Sequence, residues 1–222
     1  NSHYNIYPFP SSIDKEHFEK ARNNLLEPED QKEIPHPRLG FYGVVDERFN
    51  IELLKEVSAA EPQWHFIIVG PFAKIDAETL PAGNNIHYLG SKSYNELPQY
   101  LSGWDVAIMP FALNESTKYI SPTKTPEYLA GGKPVISASI KDVVEPYGNN
   151  GYVYIADNAE EFIAAANIAL HNKDDNNWLQ KVDAFLANIS WDKTWNNMRL
   201  IIEKSLTKKF EITEQKKIKE YV

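Results

Sequence analysis

Residues 121–137, SPTKTPEYLAGGKPVIS, hold Lys124 and Glu127 three positions apart, between two prolines and ahead of a double glycine. In a helix that spacing puts both side chains on one face. Two helix starts fit: Ser121 as cap with Pro122 first, or Thr125 as cap with Pro126 first, each a hydroxyl cap followed by proline. The first register leaves Pro126 where its missing N–H would cost a bond, which implies an irregular or 3₁₀-like first turn. In either register unpaired N–H groups and the positive end of the helix dipole gather around residues 121–127, where they favour an anion, and Lys124 adds a full positive charge. A carboxylate beside an anion would repel it unless it holds something else. A ribose diol, with two hydroxyl donors for two carboxylate oxygens, fits that role. An ordinary surface Lys–Glu pair, worth about a few tenths of a kcal/mol, fits the side-chain chemistry equally well. Gly131 and Gly132 then supply a left-handed helix exit, and PVISA enters a strand.

The elements that must position these groups alternate. From Pro37 short apolar runs alternate with amphipathic stretches, the pattern of β-α-β units around a parallel sheet. Strands are expected at RLGFYGVV (38–45), WHFIIVG (64–70), NIHYLG (85–90), DVAIMPF (105–111), KPVISAS (133–139) and GYVYIA (151–156). Helices are expected at 50–62, where Ile51, Leu53, Leu54 and Val57 keep helical period, and at 93–103, where Ser93 and Glu96 fit a capping box. Further helices are expected at 158–172, 176–189 and 192–209, and a short one at Asp14 to Leu26 within a proline-punctuated approach segment. The lysine-rich stretch from Lys208 reads as a solvated or frayed terminus in preference to a membrane-facing or partner-docking tail. This order predicts an α/β fold: a Rossmann-like, doubly wound parallel sheet. Ligands in such folds sit beyond the carboxyl ends of the strands.

Those ends carry GVVDER, GP, GSKS and PFALNESTKYISPTK. Gly43, Gly70 and Gly90 would let backbone approach a ligand with no Cβ in the way. Each alone reads as a strand end; their recurrence at successive ends points to a pocket.

Composition excludes several classes. With 31 acidic against 23 basic residues the formal charge is −8, which argues against a nucleic-acid footprint. Cysteine is absent, so disulfides, thiolate metal sites and thiol nucleophiles are excluded. The histidines, at 3, 17, 36, 65, 87 and 171, show no pair at helical ligand spacing and read as scattered structural residues, so no metal site is expected. No run approaches the roughly eighteen apolar residues of a membrane span, and NSHYNIYPFPSS is not a secretory signal. The sequons at Asn114 and Asn188 are short patterns of the kind that arise by chance. A soluble, cytoplasmic chain is expected.

In order, RLGFYGVVDERFN, WHFIIVGP, NIHYLGSKSYNELPQYLSGWDVAIMPF and SPTKTPEYLAGGKPVIS resemble the C-terminal half of GT-B glycosyltransferases, most of all the family 4 and related group 1 bacterial enzymes. The likeness covers roughly residues 37–172; NIYPFPSSIDKEHF (5–18) resembles their interdomain crossing. The resemblance implies an approach segment at 1–36, a nucleotide-sugar-binding domain at 37–172 as one half of a GT-B fold, and a C-terminal helical extension at 173–222. It further implies a nucleotide-sugar donor, UDP by family frequency, with no other cofactor, and retaining transfer without an obligatory divalent ion. The family's ribose-binding glutamate falls on Glu127. Its phosphate contacts fall on backbone near Ile120, Ser121 and Thr123 with Lys124 assisting, and its base-recognition loop falls on Gly90, Ser91, Lys92 and Ser93. Arg48 lies near a phosphate-binding cation of the family, and a surface arginine is the competing assignment. The sequence departs from the family's Glu-x7-Glu motif at Tyr119, eight residues before Glu127, with Glu115 and Lys118 close by. The acceptor site is expected on a separate N-terminal domain missing from this chain, so this chain alone should bind donor weakly and transfer nothing. Peripheral membrane association is compatible with the full-length family enzymes. The same half-fold occurs in UDP-sugar 2-epimerases, and a non-catalytic nucleotide-sugar-binding module is a further alternative.

Overall fold

The structure, a computed structural model, describes residues 6–23 and 25–220. In chain order it comprises α1 (Lys15–Glu19), β1 (Arg38–Tyr42), α2 (Ile51–Ala60), β2 (His65–Val69), β3 (Ile86–Gly90), α3 (Leu97–Ser102), β4 (Val106–Met109), α4 (Lys124–Ala130), β5 (Val135–Ser137), α5 (Lys141–Val143), β6 (Tyr154–Ile155), α6 (Ala159–His171), α7 (Asn176–Leu186) and α8 (Trp191–Glu220). The six strands form one sheet in the order β3-β2-β1-β4-β5-β6. Every pairing is parallel. This is the expected Rossmann-like α/β fold, and its strand order reverses between β1 and β4.

Strand alternation sorts the core into two layers. Leu39, Phe41, Phe66, Ile68, Val106, Ile108 and Ile136 face α2 and α6. Tyr42, Ile67, Val69, Ala107, Met109 and Val135 face the opposite layer, where α1, α3, α4 and α7 pack. With both faces covered, β1 and β4 are buried along their whole length, so they read as continuous apolar runs. Caps fix the helix starts: the Asn50 side chain accepts from Leu53 N–H, Asn158 from Glu161 N–H, and Asp175 from Asn177 and Trp178 N–H.

Several expectations change in detail. The approach-segment helix is shorter than Asp14 to Leu26: Asp14 caps α1, a 3₁₀ turn follows at Lys20–Arg22, and Asn23 turns extended. Asparagine competes for its own backbone and ends helices readily. Ile13, Phe18 and Ala21 are nevertheless buried in the same layer as Val182 and Leu186 of α7, so both flanking segments supply core. Residues 141–148, where the pattern suggested no element, form α5 and a π turn broken at Glu145 (φ −116, ψ 119). Pro146 disfavours helical backbone at the residue before it. The last helix runs beyond the expected Lys209 to Glu220, while the side chains from Lys208 onward, and with them the reading of a solvated tail, lie outside the described residues, as does Asn5 at the start of the crossing segment. His65 and His87, read as scattered, meet across β2 and β3 with Nδ1 and Nε2 2.9 Å apart. Burial holds both below the usual 6.5. Among the described residues, no helix is long and apolar enough to cross a membrane.

Candidate functional site

The strand-end glycines lie side by side. Gly43 N–H donates to Val69 O at 2.8 Å, and Gly70 N–H to Gly90 O at 2.8 Å, so the ends of β1, β2 and β3 are stitched laterally. At Gly43 (φ +148) a Cβ would fall 2.4 Å from Lys124 Cε, and at Gly70 (φ +144) one would fall 1.9 Å from Gly43 O. Both glycines are therefore required by conformation and by space. Above them opens a cavity of about 280 Å³ lined by Tyr42, Gly43, Gly70, Ser91, Lys92, Thr123, Lys124 and Glu127 among others. A larger cavity, about 500 Å³, opens at the amino-terminal edge of the sheet. The smaller one holds the candidate site, because it lies at the carboxyl ends of the strands beside the β1/β4 reversal.

Neither expected helix register is adopted. The helix α4 begins at Lys124 after Thr123, whose side chain makes no cap, and Thr125 is buried with its hydroxyl 3.6 Å from Met109 Sδ. Pro126 thus occupies the third helical position, where its missing N–H forfeits nothing because the first N–H groups of a helix lack partners. With seven residues α4 carries little dipole, so the electrostatics of the site rest on its side chains.

Lys124 and Glu127 are both half-buried and face the one cavity, as the shared helical face predicts. No carboxylate lies within 4.0 Å of the Lys124 ammonium among the described residues; it sits 5.9 Å from the centre of the Phe41 ring. Burial pushes Lys124 below its usual 10.5, Glu127 partly opposes this, and Arg48 adds to it. Glu127 accepts a 2.7 Å hydrogen bond from the Tyr42 hydroxyl. Burial raises the Glu127 carboxyl above its usual 4.5, against the opposing pull of Tyr42 and Lys124. Tyr42 is fixed in turn, its N–H donating to the Tyr128 hydroxyl at 2.9 Å, and both tyrosines are buried.

The other expected residues divide. Arg48 is bound to Asp46 through Nε (2.9 Å) and Nη2, and it does not line the cavity. Lys92 pairs with Asp30 over the Tyr100 ring, and the Ser93 hydroxyl and N–H both donate to Glu96, the capping box expected. The backbone N–H groups of Ser91 and Lys92 have no protein partner among the described residues, so backbone is what this loop offers. Gly90 takes φ +69 with open space around it. Tyr119 is 84% exposed, and neither it, half-buried Ile120 nor exposed Ser121 lines the cavity. Their loop is organised by Asn114, whose Nδ2 donates to Glu47 O at 3.0 Å and so ties it to the loop after β1. Sequence reasoning missed Tyr42 and Tyr128. The signal was present: Tyr42 closes β1 on the opposite face from Phe41, the face that meets α4.

A doubly wound parallel sheet, with a basic and an acidic side chain converging over glycine turns at its reversal point, defines a Rossmann-like α/β domain with a crevice at the carboxyl ends of its strands. Residues 36–172 match the profile of the family described as Glycosyl transferases group 1, and the chain belongs to that family. It is 28% identical over 162 residues to the putative teichuronic acid biosynthesis glycosyltransferase TuaH of Bacillus subtilis (strain 168), a match covering 71% of this chain and 40% of that protein. Among solved structures it resembles Anabaena HepE in complex with UDP (TM-score 0.63, 15% identity, 87% of this chain and 56% of that one). It also resembles a UDP-forming α,α-trehalose-phosphate synthase from Burkholderia xenovorans (TM-score 0.63, 11% identity, 88% and 51%). At those identities the likeness shows the fold, one half of a GT-B glycosyltransferase. The chain spans about half the length of these structures and two fifths of TuaH.

Proposed function

We propose that this chain is the donor-binding half of a glycosyltransferase that uses a nucleotide sugar, with UDP as the nucleotide, in the assembly of a cell-surface polysaccharide. The observation that carries this reading is the meeting of an unpaired ammonium, Lys124, and a hydrogen-bonded carboxylate, Glu127, in one cavity over the strand ends. A diphosphate would give Lys124 the counter-charge it lacks, and ribose hydroxyls would donate to Glu127. The free N–H groups of Ser91 and Lys92 suit the edge of a pyrimidine. The UDP complex of HepE and the biosynthetic role in the name of TuaH support the nucleotide and the pathway class.

In the complete enzyme Lys124 stabilises the departing diphosphate by preorganised charge. Arg48 acts at a distance, through its field on Lys124, since its guanidinium is engaged by Asp46. Transfer with retention, and without a resident divalent ion, follows the family resemblance. The acceptor site belongs to a second domain outside this chain, which accordingly binds donor and transfers nothing alone. The enzyme works in the cytoplasm, with the polymer it builds bringing it to the membrane surface.

Calorimetric titration with UDP tests the assignment. Binding that Glu127→Ala and Lys124→Met both weaken supports it, and equal affinity in all three proteins removes the cavity from the function. Product analysis with the full-length protein then separates transfer from isomerisation or from binding without turnover.

A further inference from the structure

At the far edge of the sheet the same helix, α4, ends on a second lysine. Gly132 N–H donates to Leu129 O at 2.9 Å and Lys133 N–H to Tyr128 O at 3.1 Å, the paired bonds of a Schellman exit. The exit delivers the Lys133 side chain into the cavity of about 500 Å³ below β1, β4 and β5. There its Nζ donates one hydrogen bond, to Ser102 O at 2.9 Å. Among the described residues no carboxylate lies within 4.0 Å of it. Two of the carboxylates on the same cavity wall are engaged by other cations. Asp105 is held by Lys173 Nζ (2.6 Å) and His36 Nδ1 (2.5 Å), and Glu27 by Arg38 (2.6 Å).

We infer that Lys133 is an acyl-acceptor site: an amine in a roomy cavity, apart from the donor crevice, that is selectively acylated by acyl phosphates. The amine lone pair forms the N–C bond to the acyl carbonyl carbon. The C–O bond to phosphate breaks with its electron pair, inorganic phosphate leaves, and the amine proton passes to solvent. The product suits the place. An amide keeps an N–H for Ser102 O and removes a charge that burial disfavours. A carbamate would instead put a new anion beside Asp105 and Asp174, so the acyl group is the better fit.

The groups facing Lys133 are Asp105 at the start of β4, Lys173 and Asp174 after α6, and Glu27 ahead of β1, with His36 on the cavity wall. Burial outweighs them and brings its ammonium down to about 8, so at ordinary pH a larger share of this amine is neutral than of an exposed lysine. Burial also shifts Lys124 toward the free amine, and Lys124 lies in the donor crevice.

The test is native acetylation with acetyl phosphate, read lysine by lysine by mass spectrometry between pH 7 and 9.5, with and without UDP. Lys133 should label several-fold faster than exposed Lys55, Lys118 and Lys141, reach half its maximal rate near pH 8, and be unaffected by UDP. Its advantage should vanish in urea. Labelling at or below the rate of the exposed lysines, or a rate climbing with theirs through pH 9.5, overturns the inference. So does labelling of Lys124 alone, quenched by UDP.

Discussion

The Tyr42 hydroxyl lies 2.7 Å from Glu127 Oε2 and donates the hydrogen bond that orients the one carboxylate lining the upper cavity among the described residues. Replacing it with Tyr42→Phe leaves that carboxylate half-buried with no protein donor. UDP affinity should fall roughly two- to tenfold, the loss of one hydrogen bond. The pH dependence identifies the cause. Glu127 titrates above its usual 4.5, so the stability it contributes is present below that value and is lost as pH rises through the folded one. Without Tyr42 the folded value climbs further. The variant should therefore lose more stability at pH 8 than at pH 5, and a gap that is constant with pH would show that Tyr42 acts through packing alone.

Lys124→Met separates stability from binding. The folded value of Lys124 is lowered, so its stabilising contribution exists only above the usual 10.5 and is lost as pH falls; at neutral pH the charge is a burden. The methionine variant should melt at the same temperature as the parent or higher. It should bind UDP roughly 10- to 150-fold more weakly, the range for a hydrogen bond to a charged group, yet bind uridine unchanged. A parallel loss for uridine would place the diphosphate elsewhere.

Proton linkage offers an independent check on the same charge. A diphosphate restores the protonated form of Lys124, so UDP binding should take up a proton between the lowered folded value and 10.5. Titrations in buffers of different ionisation enthalpy should show the uptake in the parent protein and not in Lys124→Met.

Gly70→Ala tests the stitched strand ends. Its Cβ would meet Gly43 O at 1.9 Å from a backbone with φ +144. Strain of about 1–3 kcal/mol is expected at such a position, with the two strand ends moved apart. The denaturation midpoint should drop and UDP binding weaken together; a variant as stable as the parent would mean that the turn is not fixed as described.

Arg22 joins the start of the chain to its later helices. It donates to Ala130 O at 2.6 Å, at the end of α4, and to Asp183 of α7 at 2.7 and 2.9 Å. The Arg22 guanidinium holds Asp183 below its usual 3.8, so the stability of that pair is present above 3.8 and lost as pH falls through the folded value. Arg22→Ala should lower the urea midpoint at pH 7 and lose less than the parent on acidification to pH 3.

Strand positions were legible because a sheet buried on both faces demands continuous apolar runs, and the Ser93–Glu96 capping box was legible from its spacing. Lys124 and Glu127 were legible through their spacing. The register of α4 was not, because Ser121, Thr123 and Thr125 all offer cap chemistry and only the tertiary fold decides that Thr125 is buried against Met109. Tyr42 escaped notice because a terminal strand tyrosine looks like core until its partner is known. Arg48 and Lys92 looked available in the sequence, where nothing reveals that Asp46 and Asp30 engage them. Lys133 was read only as the entry to a strand, since burial of its amine depends on what lies across the cavity.

The line of bonds from Gly43 to Val69 and from Gly70 to Gly90 makes the bed of the crevice out of main chain. Such a bed is indifferent to side-chain exchange in the strands beneath it. A change in what the crevice accepts must therefore come from the side chains that reach over that bed, Lys92, Thr123, Lys124 and Glu127 among them, where replacements can alter the guest without disturbing the seat.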